Sequence, residues 1–512
     1  MMANRTKNAT RNIIFGTILK IYQIAAPFLT RTLMIRFMSI EYTGLSGLFT
    51  SILQVLNLAE LGVGSAMVYS MYKPIAENDT KKIQALMNAY RQYYRIIGTA
   101  IAVIGLALTP FIPNLISGNP VPELNVYTLY LISLSATILS YWLFAYKNSI
   151  ITAHQRSDII SKINIISSTV LYLIQIASII VFKNYYIFVS ATVVSQILTN
   201  IIVSFVANKL YPQYKPSGNL GKLEKQQINK RIRDLFTAKI GSVIVNSADT
   251  IVISAFLGLG TLAIYQNYFY IITALIGILG IVHHACMASI GNSIVTETKD
   301  KNYHDLQKYT FLIMFVVGLS AVCLLNLFQP FMDIWVGKEL ELEFSAVVCF
   351  AIYFYVYELN QLLCTYKDAG GIWHQDRFRP LITALANLML NIASVHFLGI
   401  YGIILSTVVS TLFIGTPWLI KNLFSTIFEP AEKHDFIAHV SIYALATVLS
   451  GAICYIICDL VPHIKYVEFA IKAVICVVVT VPTYIVTYRS LPIYSESKKF
   501  TKKMVKSLRK GK

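Results

Sequence analysis

Residues 380–420 read PLITALANLMLNIASVHFLGIYGIILSTVVSTLFIGTPWLI, forty-one residues without a single Asp, Glu, Lys or Arg. A bilayer core of roughly 30 Å is crossed by about 20 apolar residues in helical form. The run is therefore twice the length of one crossing. Gly399 stands at its midpoint, where a chain leaves the helical conformation at least cost. The stretch predicts two membrane helices, 380–398 and 400–420, joined by a hairpin with almost no loop.

Further runs of this kind lie near 12–37, 45–71, 93–112, 126–147, 161–182, 185–208, 234–257, 262–289, 309–332, 344–366, 436–458 and 468–488, making fourteen spans. A second loopless join falls near Lys183. The composition agrees. Hydrophobic residues make up 56% of the 512-residue chain and charged residues only 13%, about half the share in a soluble domain. The start is not a cleavable signal peptide, because 12–37 is too long for an h-region and carries internal cations.

The distribution of Lys and Arg tests the count, since cations are retained on the cytoplasmic side. With the N-terminus inside, the inner segments and adjoining span ends hold 35 of the 43 basic residues. The outer loops hold Lys183, Lys338 and Lys465, and Lys20, Arg31, Arg36, Lys239 and Lys472 sit within spans. A missed span would have placed basic loops on both sides. The expected fold is thus all-α, a multi-pass protein of a bacterial cytoplasmic membrane with both termini cytoplasmic. The net charge of +18 does not point to nucleic acid, because no folded basic domain is present to hold a duplex.

The longest inner segment, 209–233, contains Pro and Gly and is basic. It separates an N-terminal lobe, 1–208, from a C-terminal lobe, 234–425, each of six spans. Helices 13 and 14 (426–490) and a basic cytoplasmic tail (491–512) follow. Shifting the chain by 219 residues lays Lys20 on Lys239 and Phe37 on Phe256 without a gap, a weak parallel repeat about an axis along the membrane normal. In the tail, Phe500, Met504 and Leu508 recur every four residues among lysines. That spacing suits a helix on the inner leaflet, and a disordered cationic anchor suits the composition equally.

A charge at the centre of a span costs about 2.5–3.5 kcal/mol on insertion scales. Lys20, Arg31, Glu60, Lys239, Asp249, Glu358 and Lys472 must therefore face a watery cavity or each other. Lys20 and Arg31 are eleven residues apart, so both project from one face of the first helix, with Arg36 at its outer mouth. Lys239, Asn246 and Asp249 share a polar sector of the seventh. Glu60 precedes Gly62 and Gly64, which allow a bend or a close approach. Glu60 and Lys472 read equally well as inter-helix salt bridges. Lys20, Arg31 and Lys239 favour the binding of an anion, which Lys meets as a point charge and Arg as a fork. His283 and His284 read as packing residues, with a proton relay as the alternative. The seven cysteines lie in apolar stretches without zinc or CxxC spacing and read as packing residues. No motif of nucleotide binding, metalloprotease or serine hydrolase chemistry occurs. The reading is of a non-enzyme without cofactor or metal.

Two stretches resemble a known family. They are LAELGVGSAMVYSMYKPIAENDTKKI at 58–83 and AKIGSVIVNSADTIVISAFLGLGTLAIY at 238–265. Together with the Lys20–Arg31 spacing they are similar to the polysaccharide repeat-unit flippases of the multidrug/oligosaccharidyl-lipid/polysaccharide exporter superfamily. The resemblance implies a MATE-like pair of six-helix lobes around a cationic cavity, with alternating access. It implies a cargo of undecaprenyl-pyrophosphate-linked oligosaccharide, turned outward for capsule or exopolysaccharide assembly beside a polysaccharide polymerase and glycosyltransferases. The substrate-binding residues expected are Lys20, Arg31, Arg36, Lys239, Asp249, Glu60 and Glu358. A cation-coupled drug exporter or a lipid II flippase of the same superfamily is the alternative. A membrane enzyme is disfavoured by the absence of a sizeable outer loop or a carboxylate cluster.

Overall fold

The computed structural model describes residues 2–118, 124–489 and 491–498, with all their side chains except those of 2–7, 9, 10, 238, 239, 242 and 246. Residues 499–512, on which the tail reading rests, and the side chain of Lys239 lie outside the described residues. Every regular element described is helical. Among the described residues eleven helical stretches are long and apolar enough to cross a bilayer. A twelfth is gained if Val126–Trp142 and Ala145–Ala153, bent by 50°, count as one span. Helices suit a lipid solvent because each satisfies its own backbone hydrogen bonds.

The chain divides into two compact units, Met1–Ala263 and Ile264–Lys512. The first contains α1 (Met2–Phe37), α2 (Ile40–Leu56), α3 (Val63–Ala76), α4 (Thr80–Leu108), α5 (Val126–Trp142), α6 (Asn148–Ala153), α7 (Ser157–Ile180), α8 (Tyr185–Leu210) and the front of α9 (Lys222–Thr296). Helix α1 packs on α7, α7 on α8, α8 on α5, and α5 on α4. The sequence reading opens a second lobe at 234, whereas the first compact unit runs on to Ala263. Its last stretch is tied to the unit by backbone: Ser117 N donates to Ser254 O at 2.9 Å, and Ser254 Oγ donates to Leu115 O at 2.6 Å.

The second unit contains the rest of α9, α10 (Lys299–Trp335), α11 (Phe344–Ala369), α12 (Trp373–Asp376), α13 (Arg379–Ser410), α14 (Thr416–Thr426), α15 (Glu432–Asp459) and α16 (Lys465–Tyr488). Helix α10 is its spine and packs on α11, α15 and α16. Val322, Cys454 and Cys476 form a small core where α10, α15 and α16 meet. Cysteines there act as small apolar groups, and no group of three potential metal ligands occurs among the described residues.

Glycine places the sharpest turns. Inside α9, Gly258 (φ 86°, ψ 172°) leaves the helical region, and inside α13 Gly399 does the same (φ 54°, ψ −131°). Lys183, at the other tight join, also has positive φ (47°). The expected bend after Glu60 is present as a 3₁₀ turn, Asn57–Glu60, followed by Gly62 at φ 89°.

One difference from the sequence reading concerns 209–233. After the last two residues of α8 it is coil from 211 to 221, but Lys222 starts a helix that runs unbroken into the next span. Pro212, Pro216, Gly218 and Gly221 account for the coil. The following KLEKQQINKRIR has no breaker and is rich in strong helix formers. This ledge is held to α4 by Gln84 Nε2 to Gln213 O (2.8 Å), Asn88 Nδ2 to Gly218 O (2.7 Å) and Tyr93 Oη to Asn229 Oδ1 (2.6 Å).

Lys82 Nζ completes the ledge at 2.5 Å from Glu224 Oε1. The hydrogen-bonded ammonium holds the Glu224 carboxyl below its usual range. A depressed folded-state value stabilises the fold above the unfolded value, near pH 4.3, and that contribution fades as pH falls through the folded value. With both partners about two-fifths exposed, the pair is worth under about 1 kcal/mol. Amide exchange across 211–230, divided by its intrinsic pH-dependent rate, should therefore quicken modestly as the pH drops through the acid range. Lys82→Met should remove that acid-specific increment.

Candidate functional site

The first helix brings together three of the expected cations. Among residues 12–37 the charged side chains are Lys20, Arg31 and Arg36, with no acid among them. Pro27 lies inside this helix. Lys20 and Arg36 are exposed and Arg31 is half-buried. Arg31 Nη2 donates to the Ala263 carbonyl at 3.2 Å, so one prong of the guanidinium is fixed by the end of the hairpin that follows Gly258. A guanidinium offers five donors in a planar fork, and fixing one N–H orients the rest. Two residues from Lys20 on the same helix, Tyr22 Oη and Thr169 Oγ1 lie 2.9 Å apart, tying α1 to α7.

The acids occupy different settings. Glu60 is half-buried and accepts from Tyr94 Oη at 3.2 Å, and Tyr90 Oη donates to Tyr94 Oη at 2.7 Å. Tyr141 Oη donates to Asn57 Oδ1 at 3.0 Å beside them. The (i, i+4) tyrosine pair on α4 gives the break after α2 a polar lining, a role the sequence reading did not foresee. Asp249 is buried in the front of α9, and the side chains of Lys239 and Asn246 on the same helix lie outside the described residues.

Glu358 and Lys472 belong to the second unit. Lys472 Nζ pairs with Glu468 Oε1 at 2.7 Å, one turn away on α16, a salt bridge within one helix and not the inter-helix bridge expected as one of its two roles. Glu358 is wholly buried, and its Oε2 lies 3.2 Å from His283 Nε2. A histidine read as packing and an acid read as a cargo contact are thus one another's partners. Sequence alone offered two signals, a carboxyl in mid-span and a histidine pair, but nothing to join them.

No family model and no curated protein sequence matches the chain. Its fold, however, recurs among solved structures. A lipid II flippase, MurJ, in an inward closed conformation superposes with a TM-score of 0.72 over 94% of this chain and 99% of that one, at 17% identity. A multidrug resistance MATE family transporter of the MOP superfamily, inward-facing, matches with a TM-score of 0.60 over 80% of this chain and 98% of its own, at 14% identity. A MOP superfamily transporter from Pyrococcus furiosus, described as having a binding pocket of reverse polarity, matches at 0.52 over 82% and 96%, at 13% identity. The long apolar helices of this chain are therefore arranged in the fold of the MOP-superfamily transporters.

Proposed function

We propose that the chain flips a polyprenyl-pyrophosphate-linked saccharide from the inner to the outer face of a bacterial cytoplasmic membrane by alternating access. The observation that carries this reading is the sign of the first helix, which bears Lys20, Arg31 and Arg36 and no acid within one apolar stretch. Such a surface suits a pyrophosphate and repels a cationic drug. In this reading Lys239 and Asp249 belong to the same cargo path. The tyrosine-bound Glu60 borders it, and Glu358 stands apart. In this reading the bent pair counts as one span beside the eleven and two of the stretches are divided at Gly258 and Gly399, which gives the fourteen spans of the sequence. These form lobes 1–208 and 234–425 with a terminal pair at 426–490.

Two cargos share the required chemistry. The fold likeness to a lipid II flippase over nearly the whole chain favours lipid II, and the stretches at 58–83 and 238–265 favour an oligosaccharide repeat unit. Both present a pyrophosphate to the same cations. The test is a flipping assay in proteoliposomes, with fluorescent lipid II and an undecaprenyl-pyrophosphate oligosaccharide in separate arms. One or both should be translocated. Arg31→Ala should slow the rate by roughly tenfold or more, as the loss of a charge-assisted hydrogen bond worth about 1.5–3 kcal/mol implies. Arg31→Lys should restore only part of it. Movement of cationic dyes alone, with neither lipid translocated, would overturn the reading.

A further inference from the structure

Glu358 sits midway along α11, fully enclosed by the second unit. One of its oxygens, Oε2, meets His283 Nε2 at 3.2 Å, and the other, Oε1, has no hydrogen-bond partner. His283 is only 2% exposed. Its second nitrogen, Nδ1, is 2.6 Å from Tyr309 Oη on α10. Tyr309 in turn lines a cavity of about 310 Å³, whose polar wall includes Ser289, Ser293, Asn302, Asp305 and Lys308. That cavity opens at the end of the unit where α10 begins.

The series carboxyl, imidazole, phenol, cavity is a continuous line of groups that both give and accept protons. A bare carboxylate with an orphaned oxygen in a span interior is costly. One proton on the pair removes the net charge, whether it rests on the carboxyl or on the imidazole. A second proton makes the pair cationic. A purely packing histidine needs neither the phenol at 2.6 Å nor an open cavity behind it.

We propose that Glu358 and His283 form a buried proton-binding site that exchanges with the cavity through Tyr309. In release, the Glu358 proton passes to His283 Nε2 while the Nδ1 proton passes to the Tyr309 oxygen. The tyrosine gives its own hydroxyl proton to cavity water. One proton leaves, no electrons move, and the imidazole tautomer resets on reloading. In the topology of fourteen spans the cavity end is cytoplasmic, so the site reads the pH of that side. The inference stands on this geometry and does not depend on which cargo is carried.

Tyr309 on α10 and Tyr357 on α11 interact electrostatically with Glu358. Cys286, Tyr366 and Asp305 adjoin Tyr309 or one another beyond it. From the far side, Arg379, Lys367, Asp368 and Asp376 act on Cys364. Where α14 meets α11 the described contact is between amide and hydroxyl, Asn360 Nδ2 to Thr416 Oγ1 at 3.3 Å.

The experiment is infrared difference spectroscopy of the full chain in lipid nanodiscs after pH jumps. The native chain should show one buried carboxyl band that titrates between about pH 4 and pH 10, the range bounded by free carboxyl and phenol values. Glu358→Gln should abolish that band. His283→Gln should move its midpoint by more than about one pH unit, and Tyr309→Phe should slow its response by roughly tenfold with the midpoint nearly unchanged. A native chain without a titrating buried carboxyl overturns the proposal before any variant is made. Survival of the band in Glu358→Gln overturns it as well, and exchange at the native rate in Tyr309→Phe overturns the route.

Discussion

Asp376→Ala is expected to destabilise the second unit by about 3–5 kcal/mol, the range for stranding one member of a buried ion pair. Arg379 forks onto this carboxylate through Nε to Oδ1 at 2.7 Å and Nη2 to Oδ2 at 2.8 Å. Asn422 Nδ2 adds a third contact at 3.3 Å, and Lys367 Nζ lies 3.7 Å from Oδ2. Asp376 and Arg379 are 2% and 7% exposed, so water cannot replace the lost anion. The cost belongs to the abandoned guanidinium more than to the pair itself. The double substitution Asp376→Ala/Arg379→Met should accordingly recover much of the loss. Thermal unfolding in detergent, followed by size-exclusion fluorescence, reads both. A single variant that melts with the native chain would show that the cluster contributes nothing.

Gly44→Ala should be among the most disruptive single-methyl changes in the first unit. A Cβ built on Gly44 would stand 2.2 Å from the Leu259 carbonyl oxygen and 3.0 Å from its carbon. The obstacle is backbone, next to the turn at Gly258, so it cannot rotate aside. Overpacking of this kind costs about 1–3 kcal/mol, and small residues are what permit such approaches between membrane helices. Gly16→Ala on α1 is the matched control, because its Cβ meets nothing within 4 Å. There the gain in helix propensity, about 0.5–1 kcal/mol, should leave the melting temperature unchanged or slightly raised. Equal melting of the two variants would contradict the close approach at Gly44.

The contrast between these sites shows what a sequence of this class discloses. Apolar runs and glycine positions are local signals, and the turns at Lys183 and Gly399 stand where the runs placed them. The 3₁₀ break after α2 was legible as a glycine cluster beside Glu60. Helix partners were not legible, because the lipid-facing and helix-facing sides of a span use the same residues. Hence nothing in the sequence joins His283 to Glu358, although they touch, or chooses between two roles for Lys472, whose partner Glu468 lies one turn away. The start of α9 escaped for another reason. Its polar face carried no membrane signal, and the helix-forming run after Gly221 was overshadowed by the prolines before it. Of the cationic site, the residues on α1 were legible from their own helix, and the grip of Arg31 on Ala263 O was not.

That unbroken start of α9 has a mechanical corollary. From Lys222 to Leu257 the backbone holds one helical course, about 50 Å at 1.5 Å per residue. Its first three turns are latched to α4 and its last turn to the chain around Ser117. Such a rod has a fixed phase: one residue added or lost between 222 and 233 rotates every later side chain by about 100°, carrying Asp249 off its face. The coil just before it, 211–221, transmits no phase at all. What reads in the sequence as a single connector is thus a cord, moored to α4 at Gln213 and Gly218, spliced to a ruler, and only a change of length in the cord leaves the phase of Asp249 untouched.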